Sequence, residues 1–410
     1  MLNRSERFGI FLLLDSNNYS DKYSRFECLV AMGMVGEPID AAAGLEGLKG
    51  HHIANKDWLF GHINYDYKNR LEPKLSSTHP DKVGFPEFFF FCPQTVCYVN
   101  KEKTELHIEC FDSSPDEVYN DILADGKKDV VVDEIQLSFN HRVSKEDYLG
   151  VIDDLREHIR NGDCYEINYC TEGYVEGVTL TPKHVYNSLV NISHAPFAAY
   201  YKNSDRYMMC ASPERYIRKD GNEVIAQPIK GTIKRGVDSN EDEQLKTQLR
   251  ESIKDRAENV MITDLLRNDL ARSCKTGIIT VDELFGIYTF PQVHQMISTV
   301  RGALRDDVHF ADVIKYSFPM GSMTGAPKVK VMQLIEQYEV SARGLFSGTV
   351  GYITPDGDFD FNVIIRSLFY NAADKYLSYQ TGGAITYDSA AESEWEEMRL
   401  KAWVLEQIFT

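Results

Sequence analysis

Residues 346–408 read FSGTVGYITPDGDFDFNVIIRSLFYNAADKYLSYQTGGAITYDSAAESEWEEMRLKAWVLEQI, and the fold turns on how this stretch is parsed. Positions 346–354, 359–369 and 376–386 have the composition of strands, and 389–408 the pattern of a closing helix. Strands follow one another without a helix between each pair. The strict alternation of a doubly wound parallel sheet is therefore absent, and the predicted class is α+β with large antiparallel sheets.

Working outward, a helix is predicted from Pro327 to about Tyr338, and a long one from about Ser239 to Leu266. Residues 164–178 and 197–227 alternate like antiparallel strands. Ser144, three residues before Asp147, makes a capping-box-like start for a helix whose apolar positions Tyr148, Val151, Ile152, Leu155 and Ile159 keep a 3.6-residue period. Asn161-Gly162-Asp163 stops it. Further upstream, Phe88 to Phe91 forms a strand-like run between Pro86 and Pro93, and Val96–Val99 with Leu106–Ile108 suggests a hairpin. A short helical pattern begins at Asp112 and ends in the polar break Asp125-Gly126-Lys127-Lys128. A boundary near 140 divides a strand-rich N-terminal subdomain, 1–140, from a second domain, 141–410.

Composition narrows the function classes. The 410 residues are 43% hydrophobic and 11% aromatic, enough for a large core. The formal net charge of −18 argues against nucleic acid or an anionic membrane as partner. An anionic substrate would then need a local cluster of Arg, Lys or metal. The eight cysteines include no Cys-x-x-Cys pair, which fits reduced thiols better than a disulfide frame or zinc site. No apolar run reaches the length of a membrane span, and the first residues lack a secretory leader's pattern. The expected location is the cytoplasm.

Several stretches can carry chemistry. Glu394, Glu397 and Lys401 fall at i, i+3 and i+7 on one helix face. From spacing alone they read first as a solvated charged face. Just before them, Thr381-Gly382-Gly383-Ala384 ends a strand in two glycines, where a ligand can approach the backbone closely. Asp255 and Glu258 are a second i, i+3 acidic pair; carboxylates from two helices suit a hard ion such as magnesium if the helices meet. The loop Gly321-Ser322-Met323-Thr324-Gly325-Ala326-Pro327-Lys328 runs into a helix and could cradle an anion or simply cap that helix. Arg366, in an apolar run, must find an anionic partner. Lys230, in Gln227-Pro228-Ile229-Lys230-Gly231-Thr232, is either a surface lysine or an amine whose proton is loosened by desolvation. Glu214, in Ser212-Pro213-Glu214, could be a general acid in the same cavity.

Taken together, SPE at 212–214, PIKGT at 228–232, AENVMITDLLRNDLARSC at 257–274, GSMTGAPK at 321–328, FSGTVGY at 346–352, IIRS at 364–367, GGAITYDS at 382–389 and EWEEMRLKA at 394–402 resemble the chorismate-utilising enzymes, the anthranilate synthase component I family. The resemblance implies antiparallel sheets packed as a sandwich with helices outside. It implies a magnesium ion between Glu258 and Glu397, assisted by Glu394, holding the ring carboxylate of chorismate. Arg366 with the backbone of Gly382 and Gly383 would hold the enolpyruvyl carboxylate. Lys401, His294, Ser322, Thr324, Gly325, Gly231, Thr232 and Phe346 would complete the substrate site. Lys at position 230 is similar to the aminodeoxychorismate synthase branch, where anthranilate synthases have Ala. That branch implies attack of Lys230 at C2, Glu214 protonating the departing 4-hydroxyl, and ammonia then entering at C4. Ammonia would come from a separate glutamine amidotransferase subunit. Two positions depart from the pattern: Glu166 stands where Gln is usual, and Phe346 where many relatives have Tyr.

Overall fold

A computed structural model describes residues 1–19, 21–125 and 136–410. Among them, two antiparallel sheets of 11 and 10 strands make up the scaffold. In the first sheet the order is Gly325–Ala326, Glu166–Glu176, Tyr376–Ile385, Ser367–Asn371, Arg206–Ser212, Phe197–Asn203, Ile10–Asp15, Phe26–Met32, Thr95–Asn100 and Leu106–Cys110, with Asn140–His141 beside Glu166–Glu176. In the second it is Ile229–Lys234, Val293–Ala303, Glu223–Gln227, Arg215–Asp220, Phe359–Asn362, Thr349–Ile353, Leu59–Ile63, Phe88–Cys92 and Val35–Asp40, with Thr280–Thr289 beside Val293–Ala303.

The sheets face each other across one apolar layer. Leu29, Ala31, Tyr201 and Met208 of the first sheet share a core with Phe60, Phe90, Ile217 and Phe361 of the second. Burial of such side chains is the main driving force for closing the sandwich. His62 reaches across it to the Tyr201 hydroxyl at 3.1 Å. Helices cover the outer faces: Ile253–Ala271 lies on the strand Val293–Ala303, and Ala391–Glu406 on Tyr376–Ile385. No described helix is long and apolar enough to cross a membrane.

Strands on both sides of position 140 share both sheets. Ile10–Asp15 pairs with Phe197–Asn203, and Leu59–Ile63 pairs with Thr349–Ile353. The polar break at 126–128 lies outside the described residues.

Two expectations from local pattern are corrected. The helix from Ser239 is two helices, Ser239–Glu251 and Ile253–Ala271. Ser252 turns extended between them, and its hydroxyl accepts the Asp255 N–H at 3.2 Å, capping the second helix. The strand expected over 359–369 is also two, Phe359–Asn362 and Ser367–Asn371, which belong to different sheets. The chain crosses the sandwich at 363–366, where Arg366 takes a left-handed φ of 52°. An apolar run buried on both sides of a crossing looks like one strand to any period count.

Arg343 ties the sheets to the loop over the cavity described below. Its guanidinium grips Glu339 at 2.6 and 2.9 Å and donates to the carbonyls of Met323 at 2.7 Å and Asn168 at 2.9 Å. Both partners of this ion pair are buried. Arg343→Met leaves the Glu339 carboxylate without its counter-ion in low dielectric, and should cost about 3–5 kcal/mol, read as a lowered urea midpoint.

Candidate active site

The site sits where the chain crosses between sheets. One crossing is Ser212-Pro213-Glu214, from the strand Arg206–Ser212 to the strand Arg215–Asp220; the other is residues 363–366. The two are laced together: Val363 N–H donates to the Glu214 carbonyl at 3.0 Å, and Ala211 N–H to the Arg366 carbonyl at 3.1 Å. Beside them opens a cavity of about 560 Å³ lined by Glu214, Lys230, Glu258, Arg366, Glu397 and Lys401, among others. That volume suits a small organic ligand.

Lys230 projects from the second sheet and meets Glu166 of the first, Nζ to Oε1 at 2.6 Å. Lys230 is 8% exposed and Glu166 1%. Burial alone would strip the proton from the amine. The negative fields of Glu166, Glu258 and Glu214 outweigh it and raise the Lys230 pKa. The expectation of a loosened proton is thereby corrected: with no ligand present, this residue is an ammonium. Gly231 beside it has a φ of 92°, and a side chain there would press on Asp255. Thr232, Phe346 and Ser322 also line the cavity.

Glu214 is fully enclosed, and burial pushes its carboxyl up to about 7, against the Ser322 hydroxyl, Lys230 and the Ile229 backbone, which all favour the charged form. A carboxylic acid near neutrality can deliver a proton at physiological pH. Glu258 is likewise pushed up to about 7, chiefly by burial.

The acidic end of the cavity brings two helices together. Lys254 Nζ lies 3.1 Å from Glu394 Oε1 and 3.9 Å from Glu258 Oε1. Glu397 pairs with Lys401 at 2.7 Å, and Lys401 also donates to the Gly382 carbonyl at 2.8 Å. Among the described residues no three acidic, His or Cys side chains form a ready-made metal cluster; the three glutamates instead share two ammonium groups. The fit to a hard cation is nonetheless good at one atom. Glu258 Oε1 is buried without a hydrogen bond, and carboxylate oxygens are what magnesium prefers. Gly382 is explained by packing, since a side chain there would collide with the Tyr169 carbonyl. Gly383 is not: a Cβ would make only ordinary contacts with Glu394, Glu397 and Lys401, at 3.6–3.9 Å. Its bare backbone leaves the cavity floor open.

Arg366 faces the cavity half-buried, and its guanidinium makes no hydrogen bond or ion pair with any described residue. Burial lowers its pKa, opposed by the field of Glu397. An unpaired cation of this shape fits a bidentate carboxylate.

Three expected ligand contacts are corrected. His294 points away from the cavity, Nε2 to Asp242 at 2.9 Å and Nδ1 to the Thr289 hydroxyl at 3.0 Å. Side chains alternate along a strand, so Val293 and Gln295 face inward. The Thr324 hydroxyl donates to the Met320 carbonyl at 3.0 Å and holds its own turn. Gly325 pairs with Ile167 at the sheet edge, where a side chain would strike the Glu166 carbonyl. Lys328 turns away too, to Asp269 at 2.6 Å. Two residues were missed. Gln295 is 4% exposed with its Oε1 unpartnered in the cavity wall, which strand alternation could have shown. Lys254 stands one helical turn before Glu258, which the i, i+4 spacing could have shown.

A family profile described as chorismate binding enzyme matches residues 28–407. A probable chloroplastic aminodeoxychorismate synthase of Oryza sativa subsp. japonica is 40% identical over 262 residues, 63% of this chain and 29% of that protein. The aminodeoxychorismate synthase component 1 of Bacillus subtilis is 27% identical over 359 residues, 85% of this chain and 76% of that one. Among solved structures, anthranilate synthase component I from Streptococcus pneumoniae superposes with a TM-score of 0.76 at 26% identity, covering 85% of this chain and 80% of that one. The chain thus spans under a third of the plant relative's length.

Because its pKa is raised, Glu214 binds its proton more tightly in the folded than in the unfolded chain. The protein therefore loses stability as pH rises from the unfolded value near 4.5 through about 7. Glu214→Gln, neutral throughout, should unfold like the parent near pH 4.5. At pH 8 it should be more stable, by about 2–3 kcal/mol, in urea titrations at the two pH values.

Proposed function

The chain belongs to the chorismate binding enzymes, and from that membership we propose that it replaces the C4 hydroxyl of chorismate with an amino group, giving 4-amino-4-deoxychorismate. The observation that carries this reading is a buried ammonium, Lys230, and a near-neutral buried acid, Glu214, in one cavity with an unpaired Arg366. The names of the rice and B. subtilis relatives support the same reaction.

Arg366 and the backbone beside Gly383 take the enolpyruvyl carboxylate. Glu258, with Glu397 and Glu394, would hold a magnesium ion, which supplies positive charge for the ring carboxylate. Lys254 and Lys401 would yield their present carboxylate contacts to it. These cations answer the problem posed by a net charge of −18: the substrate's two carboxylates are met locally against an unfavourable global field. Lys230, once deprotonated, attacks C2 as Glu214 protonates the leaving hydroxyl, and ammonia then enters at C4 and expels the lysine. Ammonia comes from a separate glutamine amidotransferase subunit. The eight cysteines, none in a disulfide, fit a reducing cytoplasm.

Incubation with chorismate, magnesium and ammonium should yield 4-amino-4-deoxychorismate by mass and chromatography; anthranilate released directly would overturn the assignment. Lys230→Ala should lower the amination rate by on the order of 10²-fold or more. Its magnesium affinity, followed by manganese substitution and electron paramagnetic resonance, should change far less. Equal loss of both would remove the nucleophile role.

A further inference from the structure

Lys230 can attack carbon only as a free amine, yet the fold keeps it charged. Its ammonium is ion-paired with Glu166 on the first sheet, Nζ to Oε1 at 2.6 Å. That contact favours the proton staying on nitrogen. Water cannot easily remove it, since Lys230 is 8% exposed and Glu166 1%. Something within the cavity must accept that proton.

Only one carboxylate is placed to do so. Glu166 Oε1 lies 2.6 Å from Nζ, and no other hydrogen bond leaves this ammonium among the described residues. The second oxygen, Oε2, is buried with no hydrogen-bond partner, so the group has unused accepting capacity. Glu214 has to keep its own proton for the leaving hydroxyl, and Glu258 faces Lys254 at the acidic end. Glu166 is also held rigidly. It opens the strand Glu166–Glu176 and pairs with Ala326, while the preceding Tyr165 N–H donates to the Ala326 carbonyl at 2.8 Å.

We propose that Glu166 is the general base that deprotonates Lys230 and returns the proton after ammonia has displaced it. This rests on the nucleophile reading above and adds a catalytic residue to it. The proton moves from Nζ to Glu166, leaving a neutral amine and a carboxylic acid. The Nζ–C2 bond forms, both ring double bonds shift by one position, and the C4–O bond breaks as Glu214 donates its proton, so that water departs. Ammonia then bonds to C4, both double bonds shift back, and the C2–Nζ bond breaks with its electron pair returning to nitrogen. The new C4 ammonium gives a proton to the Glu214 carboxylate, and Glu166 reprotonates Lys230. Every group is restored, and the net change is hydroxyl for amino with one water released.

The test follows the covalent Lys230 adduct formed from chorismate and magnesium without ammonia, timed by intact mass between pH 6.5 and 8.5. Glu166→Gln keeps the size and a hydrogen-bond acceptor but cannot take the proton. Its adduct should form on the order of 10²-fold more slowly than the parent's at pH 7. The ratio of variant to parent rate should climb by about tenfold per pH unit as solution base takes over; any Glu214 dependence cancels in that ratio. Glu166→Asp retains a carboxylate, and its ratio to the parent should stay flat with pH. A Glu166→Gln rate within about twofold of the parent, a flat Gln ratio, or an Asp variant that climbs like Gln would each overturn the proposal. If the parent aminates chorismate but never carries an adduct, the nucleophile reading itself fails first. Thermal unfolding of both variants identifies any loss that comes from misfolding.

Discussion

One buried ammonium neutralises a pocket that would otherwise repel itself. Glu166, Glu214 and Glu258 all act on Lys230, which is buried in the cavity wall. Carboxylates so close cannot all ionise without a compensating charge. The consequence is a division of roles by environment. Glu166, in direct contact with the amine, is its natural counter-ion. Glu214 and Glu258, farther from a compensating partner, are driven by burial to titrate near neutrality. Identical side chains thus acquire different affinities for a proton according to where the backbone puts them.

That placement depends on the two crossings of the sandwich. Glu214 and Arg366 stand at points where the chain leaves one sheet for the other, and each crossing hydrogen-bonds to its neighbour. Lys230 and Glu166 come from facing sheets and meet at the same end. The site is therefore mounted on hydrogen-bonded crossings and paired strands, while the loop of residues 321–326 is held by Arg343 through the Met323 carbonyl. Such mounting matters because catalytic geometry tolerates only small displacements.

Much of this was legible in the residues. The α+β class, the antiparallel strands and the closing helix follow from period and punctuation, and the Ser144 cap forms as read, with Asp147 N–H donating to Ser144 Oγ at 3.1 Å. Lys230 of PIKGT and Arg366 of IIRS, singled out from the blocks, line one cavity. Three kinds of feature were not legible. Register decides which of His294 and Gln295 faces the cavity, and a motif match carries no register. The crossing at 363–366 has the composition of a strand and the geometry of a corner. Charge state is collective: desolvation argued for a neutral Lys230, but the carboxylates that reverse the sign come from a strand, a crossing and a helix far apart in the chain.

The interleaving of early and late strands has a further consequence, for how the protein is made. Ile10–Asp15 has its partner at Phe197–Asn203, and Leu59–Ile63 waits for Thr349–Ile353. During synthesis the early strands leave the ribosome with exposed edges and apolar faces long before their neighbours exist. Pairing across such sequence separations is slow and leaves nascent chains prone to sticking together. Glu166–Glu176 cannot be covered until Tyr376–Ile385 emerges, so the cavity is among the last parts to take shape. Demand for chaperones should therefore fall heavily on the segment that precedes Phe197–Asn203.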